Sequence, residues 1–154
     1  MIQGFSHVGV AVSDLERSVA FYTAVLGFTV LYRMDFANDE VAVTMEQEGA
    51  FRSAMLVRGD IRVELLQWED VPITGGGRRP MTELGFTHLS FRVDDIGELD
   101  EAVAAYGGEV VAHTRQVLGD PGDPAAPRLV YLTDPDGTRI ELMQNVPDLR
   151  APTD

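Results

Sequence analysis

The chain contains three histidines, and two of them, His7 and His88, stand 81 positions apart in look-alike segments. "FSHVGVAVSDL" from Phe5 and "FTHLSFRVDDI" from Phe86 both read aromatic, hydroxyl, histidine, alternating apolar residues, then an aspartate. A second pair recurs later in each half: Glu64 in "IRVELLQ" and Glu141 in "TRIELMQ" (141 − 64 = 77). Singly, each residue has an ordinary explanation, because a strand histidine is usually structural and a glutamate alternating with leucines is the wet face. Jointly they say more. Pseudo-symmetry can bring two imidazoles and two carboxylates at matching positions of a duplicated unit to one centre. Those nitrogen and oxygen donors suit a borderline divalent cation. Two carboxylates also balance its charge and offset the cost of burying it. We therefore read His7, Glu64, His88 and Glu141 as ligands of a shared metal site.

The elements that must carry these residues follow from the periodicities. Around each histidine the side chains alternate, so Val8, Val10 and Val12 share one strand face and His7, Gly9 and Ala11 the other. Leu89, Phe91 and Val93 likewise oppose His88, Ser90 and Arg92, Val63 and Leu65 oppose Glu64 and Leu66, and Ile140 and Leu142 oppose Arg139, Glu141 and Met143. Each half then predicts a helix. In the first, Ser13-Asp14-Leu15-Glu16 fits a capping box, Leu15, Val19, Tyr22 and Leu26 fall at helical spacing, and Gly27 ends the run. In the second, the helix is expected to open at Asp95 and Glu98, to face inward through Ile96, Leu99, Val103 and Tyr106, and to close at Gly107-Gly108. Three strands are expected after each helix. They lie near Glu40–Met45, Ser53–Val57 and Ile61–Gln67, then near Glu109–Thr114, Arg128–Leu132 and Thr138–Gln144. "RGDI" and "DPDGT" read as the hairpin turns before the last strand of each half.

The expectation is one α+β domain over residues 1–154. It comprises a βαβββ module at about 4–69, a linker at 70–84, a second module at about 85–146 and a tail at 147–154. Arg92 and Arg139 fall on the face of the glutamates and could hold a substrate carboxylate or phosphate; ion pairs with the abundant acids are the plainer reading. Trp68 and Met143, with Phe51, could form an apolar mouth or simply pack.

Composition removes other classes. Twelve Lys and Arg against 25 Asp and Glu give a net charge of −13. That argues against nucleic acid or an anionic membrane surface as partner. With no cysteine, disulfides, thiolate nucleophiles and cysteine-type zinc sites are excluded. The opening "MIQGFSH" has neither a basic segment nor a long apolar run, and no stretch suits a membrane span. A cytoplasmic protein acting on a small molecule is expected.

"HVGVAVSDLERSVAFYTAVLGF", "THLSFRVDDI" and "LTDPDGTRIEL" together resemble the vicinal oxygen chelate superfamily of glyoxalases, bleomycin resistance proteins and dioxygenases. The resemblance runs from about Phe5 to Gln144. It implies two tandem βαβββ modules whose eight strands form a half-open barrel around a metal, with His7, Glu64, His88 and Glu141 as ligands. It further implies a homodimer and one divalent ion per site, of Ni, Co, Mn, Zn or Fe. A glutamate at position 64 resembles glyoxalase I rather than extradiol dioxygenases, which resemble this layout with two His and one Glu. The implied activity is a metal-dependent lyase or isomerase of the glyoxalase I type, with Glu141 or Glu64 as base, acting on an α-oxygenated carbonyl or its thiol adduct. Alternatives are an acyl-CoA epimerase of the methylmalonyl type, an extradiol-type dioxygenase, and a non-enzymatic binder like the bleomycin resistance proteins. Two departures bear on the thiol. Glutathione-using glyoxalases carry an arginine where this chain has Ala11 and an asparagine where it has Trp68.

Overall fold

Alternating apolar residues make the strands, and a helical run closed by glycine follows the first strand of each half. The computed structural model describes residues 1–37 and 43–148. The chain divides into two units, Met1–Gly75 and Gly76–Asp154. The first contains β1 (Val8–Ala11), α1 (Leu15–Ala24), β2 (Thr29–Phe36), β3 (Phe51–Arg58) and β4 (Ile61–Trp68). The second contains β5 (Leu89–Arg92), α2 (Asp100–Ala105), β6 (Glu109–Val117), β7 (Arg128–Thr133) and β8 (Arg139–Gln144). Each unit holds one four-stranded mixed sheet, ordered β1-β4-β3-β2 and β5-β8-β7-β6. The β1/β4 and β5/β8 pairs are parallel and the others antiparallel. The architecture is the α+β, tandem βαβββ arrangement that the repeats predict.

Packing follows the expected parity. Val63 and Leu65 on β4, and Ile140 and Leu142 on β8, are buried, while Glu64 and Glu141 between them are not. On α1, Leu15, Val19, Tyr22 and Leu26 are buried as their spacing requires, and Phe21 joins them. Tyr22 lies edge-on to both Phe21 and Phe28. The cap differs from expectation by one residue. Asp14, not Ser13, is the N-cap, and its carboxylate accepts the Arg17 N–H at 3.0 Å. Ser13 instead accepts from the Arg17 guanidinium at 2.8 Å. A charged cap beside the positive helix end is at least as favourable as a hydroxyl there. Both helices end alike, on Gly27 and Gly107 at positive φ.

Two element boundaries correct the sequence reading. The strand expected near Glu40–Met45 falls partly on residues outside those described. Its described part is not strand, since Val43 and Thr44 are helical and Met45 is in a turn. The second strand of that unit is instead β2, beginning two residues after Gly27 as β6 begins two residues after Gly107. The second helix is also shorter than expected. The Asp95 carboxylate accepts the Gly97 N–H at 2.7 Å, which holds a turn there, and helix starts only at Asp100. Ile96 and Val103 are buried, but Tyr106 is exposed.

The glutamine that closes each repeat has a structural task. Gln67 Oε1 accepts the Leu15 N–H at 2.7 Å, and Gln144 Oε1 accepts the Ile96 N–H at 3.3 Å. Each thereby ties the sheet to the segment that follows its histidine-led strand. "RGD" is a hairpin turn, with Gly59 at φ 55 between β3 and β4. Among the described residues, no helix is long and apolar enough to cross a membrane.

Candidate metal-ligating and catalytic site

The two His–Glu pairs are built the same way. His7 immediately precedes β1, and β1 pairs in parallel with β4 so that Gly9 stands opposite Glu64. His88 immediately precedes β5, where Ser90 stands opposite Glu141 on β8. Glutamate and histidine side chains therefore leave one sheet face on adjacent strands. His7 Nε2 lies 3.3 Å from Glu64 Oε2, and His88 Nε2 lies 3.5 Å from Glu141 Oε2. The carboxylate side chains are 14% and 12% exposed and the imidazoles 37% and 26%, so the acids lie deep while the rings stay reachable.

Each imidazole is held at its far nitrogen by the hydroxyl that precedes it in sequence. Ser6 Oγ is 3.0 Å from His7 Nδ1, and Thr87 Oγ1 is 2.9 Å from His88 Nδ1. A hydroxyl accepting from a protonated Nδ1 leaves the Nε2 lone pair free, which is the tautomer a metal ligand needs. Donor chemistry and spacing both fit a cation. Atoms about 2.1 Å from a divalent ion stand about 3.0–3.4 Å apart along an octahedral or tetrahedral edge. The first pair, at 3.3 Å, has the spacing of two adjacent ligands, and the second, at 3.5 Å, is about 0.1 Å beyond it. Among the described residues, no group of three or more His, Asp or Glu side chains is placed to hold an ion by itself.

The surroundings of the two carboxylates differ. Ser90 Oγ donates to Glu141 Oε2 at 2.8 Å. Tyr131 stands opposite Glu141 on β7 and sets its ring edge-on to His88 at 5.4 Å. Burial, and then the neighbouring Glu141 carboxylate, push the Tyr131 phenol above its ordinary value. Sequence reading placed Ser90 on the site face but passed over Tyr131. The signal was available, since a hairpin turning at "DPDG" sets Tyr131 across from Glu141.

The four candidate substrate-binding residues divide. Arg92 and Met143 line an open cleft of about 420 Å³ with Val93, Asp94, Asn145 and Val146, and Arg92 pairs with Asp148 at 2.6 Å. The Arg139 guanidinium donates to the Arg79 carbonyl at 2.6 Å and to Met81 Sδ at 3.3 Å, which ties it to the linker. Trp68 stacks obliquely on Phe51, with ring centroids 4.8 Å apart, and Phe51 stacks on Phe36.

Comparison with known proteins identifies the family and the fold. The family model of the Glyoxalase/Bleomycin resistance protein/Dioxygenase superfamily matches residues 4–142. The probable lactoylglutathione lyase of Vibrio parahaemolyticus is 30% identical over 141 residues, 90% of this chain and 88% of that protein. A glyoxalase family protein of Bacillus cereus superposes with a TM-score of 0.77 at 24% identity, over 94% and 95% of the two chains. A fosfomycin resistance protein of Mesorhizobium loti does so at 0.56 and 26% identity, over 92% and 91%. With its two βαβββ units and a match over nearly its whole length, this chain belongs to the Glyoxalase/Bleomycin resistance protein/Dioxygenase superfamily.

Proposed function

We propose that the protein is a metal-dependent lyase or isomerase of the glyoxalase I type, working on an α-oxygenated carbonyl compound or its thiol adduct. The observation that carries this reading is the duplicated His–Glu pair, at 3.3 Å in one unit and 3.5 Å in the other. His7, Glu64, His88 and Glu141 would hold one divalent ion, of Ni, Co, Mn, Zn or Fe. Such an ion supplies Lewis-acid polarisation of a carbonyl oxygen and so acidifies the neighbouring C–H. The chain supplies the rest. Ser6 and Thr87 orient the imidazoles. A glutamate takes the α-proton and returns it to the adjacent carbon, which completes an isomerisation with no net redox change. Arg92 and Met143, beside one cleft, are our candidates for contacting the substrate's remote end, together with Arg139 and Trp68. Retention of two carboxylates favours catalysis over mere sequestration, because a binder needs no base. Ala11 and Trp68 stand where glutathione-using glyoxalases carry their arginine and asparagine, so a thiol other than glutathione is favoured. We place the protein in the cytoplasm as a homodimer.

The test is elemental analysis followed by isotope exchange. Purified protein should carry or take up about one divalent ion per site, and His7→Ala should lose it. The loaded protein in heavy water should wash deuterium into the product of methylglyoxal hemithioacetals. Uptake of metal without any exchange or turnover across several thiols would sink the enzymatic reading.

A further inference from the structure

The two sheets differ one site-face residue beyond their glutamates. On the second, register sets Ser90 opposite Glu141 and Arg92 opposite Met143. Arg92 therefore stands two strand residues from the row of Ser90 and Glu141, about 7 Å along the sheet at the usual rise per residue. The corresponding pair in the first unit is Ala11 and Leu66, which carry no charge. Arg92 and Met143 open onto the cleft of about 420 Å³, and Arg92 is the one cation among its described lining residues. Asn145, also in the lining, spends its amide on the Pro124 and Ala126 carbonyls at 2.9 and 3.2 Å. Arg92 is left to meet an anion, and it already holds one: Asp148 Oδ2 lies 2.6 Å from its guanidinium. The two side chains are 42% and 37% exposed, so this ion pair is open to water and contributes little to stability.

We propose that Arg92 recognises a carboxylate at the substrate's remote end, and that Asp148 occupies this subsite until the substrate displaces it. The inference rests on the glyoxalase-type reading above and names its substrate class: an α-oxygenated carbonyl whose thiol portion is an acid. A carboxylate of the chain itself already sits on the guanidinium, so the position accepts that group. Exchanging one carboxylate for another conserves the charge-assisted hydrogen bond, and the pair given up is a weak, water-exposed one. Asp94 also lines the cleft, and one guanidinium beside one fixed acid suits a monoanion rather than a phosphate dianion. Met143, next to Arg92 across the strands, lends an apolar wall to the methylene chain between the carbonyl and the acid.

The test uses the full chain, as purified and after Mn(II) loading, and two adducts that differ in one group. Methylglyoxal hemithioacetals of β-mercaptopropionate and β-mercaptopropanamide have the same chain length, and only the first carries a charge. The corresponding lactoyl thioesters serve as stable ligands in calorimetry. Wild type should bind the acid about five- to thirty-fold more tightly than the amide, a preference between that of an exposed ion pair and that of a sheltered charge-assisted bond. In turnover of the hemithioacetals the same preference should fall mainly on KM. Arg92→Gln should bring the acid down to the affinity of the amide. Asp148→Asn should tighten acid binding roughly two- to five-fold and leave amide binding as it was. In the Arg92→Gln background it should add nothing, because the two residues act through one contact. Glu101→Gln removes the same charge from an exposed position on α2 and should leave the acid-to-amide ratio unchanged. Equal wild-type affinity for acid and amide would overturn the subsite, whatever the variants do. A gain in Asp148→Asn that persists without Arg92, or that Glu101→Gln reproduces, would overturn the displacement. If wild type prefers the acid in binding but turns over neither hemithioacetal, the glyoxalase reading fails and the acid subsite stands.

Discussion

Gly137 closes the turn that leads into β8, the strand carrying Glu141, and the linker crosses it at van der Waals range. A Cβ on Gly137 would sit 2.4–2.6 Å from the backbone Cα, C and N of Gly77. The Gly77 N–H donates to the Asp136 carbonyl at 2.9 Å, which holds the crossing closed. Gly137→Ala therefore meets two costs. The residue has φ 92, and a side chain in positive-φ backbone costs about 1–2 kcal/mol. The overlap is with backbone, so the linker must lift and forfeit the Gly77 bond, a further 0.5–1.5 kcal/mol or so. The expected loss is roughly 1.5–3.5 kcal/mol, the sum of those two contributions. For a chain of this size that lowers the melting midpoint by roughly 3–14 °C. Gly77→Ala is the control. It also has positive φ, at 72, but a Cβ there would meet nothing within 4 Å, so it pays only the backbone cost. Calorimetric melts of wild type and both variants, with hydrogen exchange at the Gly77 amide, measure the difference. Equal destabilisation by the two substitutions, with Gly77 still protected in Gly137→Ala, would refute the crossing.

Other consequences are as direct. Asp14→Ala should cost about 1 kcal/mol in urea unfolding, as loss of an N-cap does, and Ser13→Ala appreciably less, because Asp14 is the N-cap whose carboxylate accepts the Arg17 N–H. Asp134 is buried, and its carboxylate accepts the Asp136 and Thr138 N–H groups at 3.0 and 2.8 Å; burial outweighs those bonds and raises its pKa. The folded state then holds this proton more tightly than the unfolded chain. The Asp134 contribution is fully present below about pH 3.9 and is lost as pH rises through the raised value. Unfolding midpoints from pH 3 to 8 should show wild type losing stability relative to Asp134→Asn as pH rises through that window; a difference independent of pH would contradict the burial. Tyr106→Ala should change stability by no more than about 0.5 kcal/mol, since that ring is exposed, whereas Leu56→Ala in the centre of the first sheet should cost about 2–5 kcal/mol in the same unfolding assay.

The sequence by itself determined what depends on local period. Alternation placed Val63 and Leu65 inward and Glu64 outward, helical spacing picked the buried face of α1, and the duplication named His7, Glu64, His88 and Glu141 as corresponding residues. It misplaced β2 because Thr29–Phe36 mixes exposed apolar and charged residues and alternates only weakly. It began α2 too early because Asp95, a plausible helix cap, instead closes its own turn on Gly97. Neighbours across strands belong to the tertiary structure. That Ser90 and Tyr131 flank Glu141, while Gly9 and Met55 flank Glu64, follows from sheet register. That Arg139 is spent on the Arg79 carbonyl follows from where the linker runs. Side-chain period is a property of a few consecutive residues, and it survives in the sequence. Which donor meets which acceptor is set by contacts between segments far apart in the chain, and only folding brings those together.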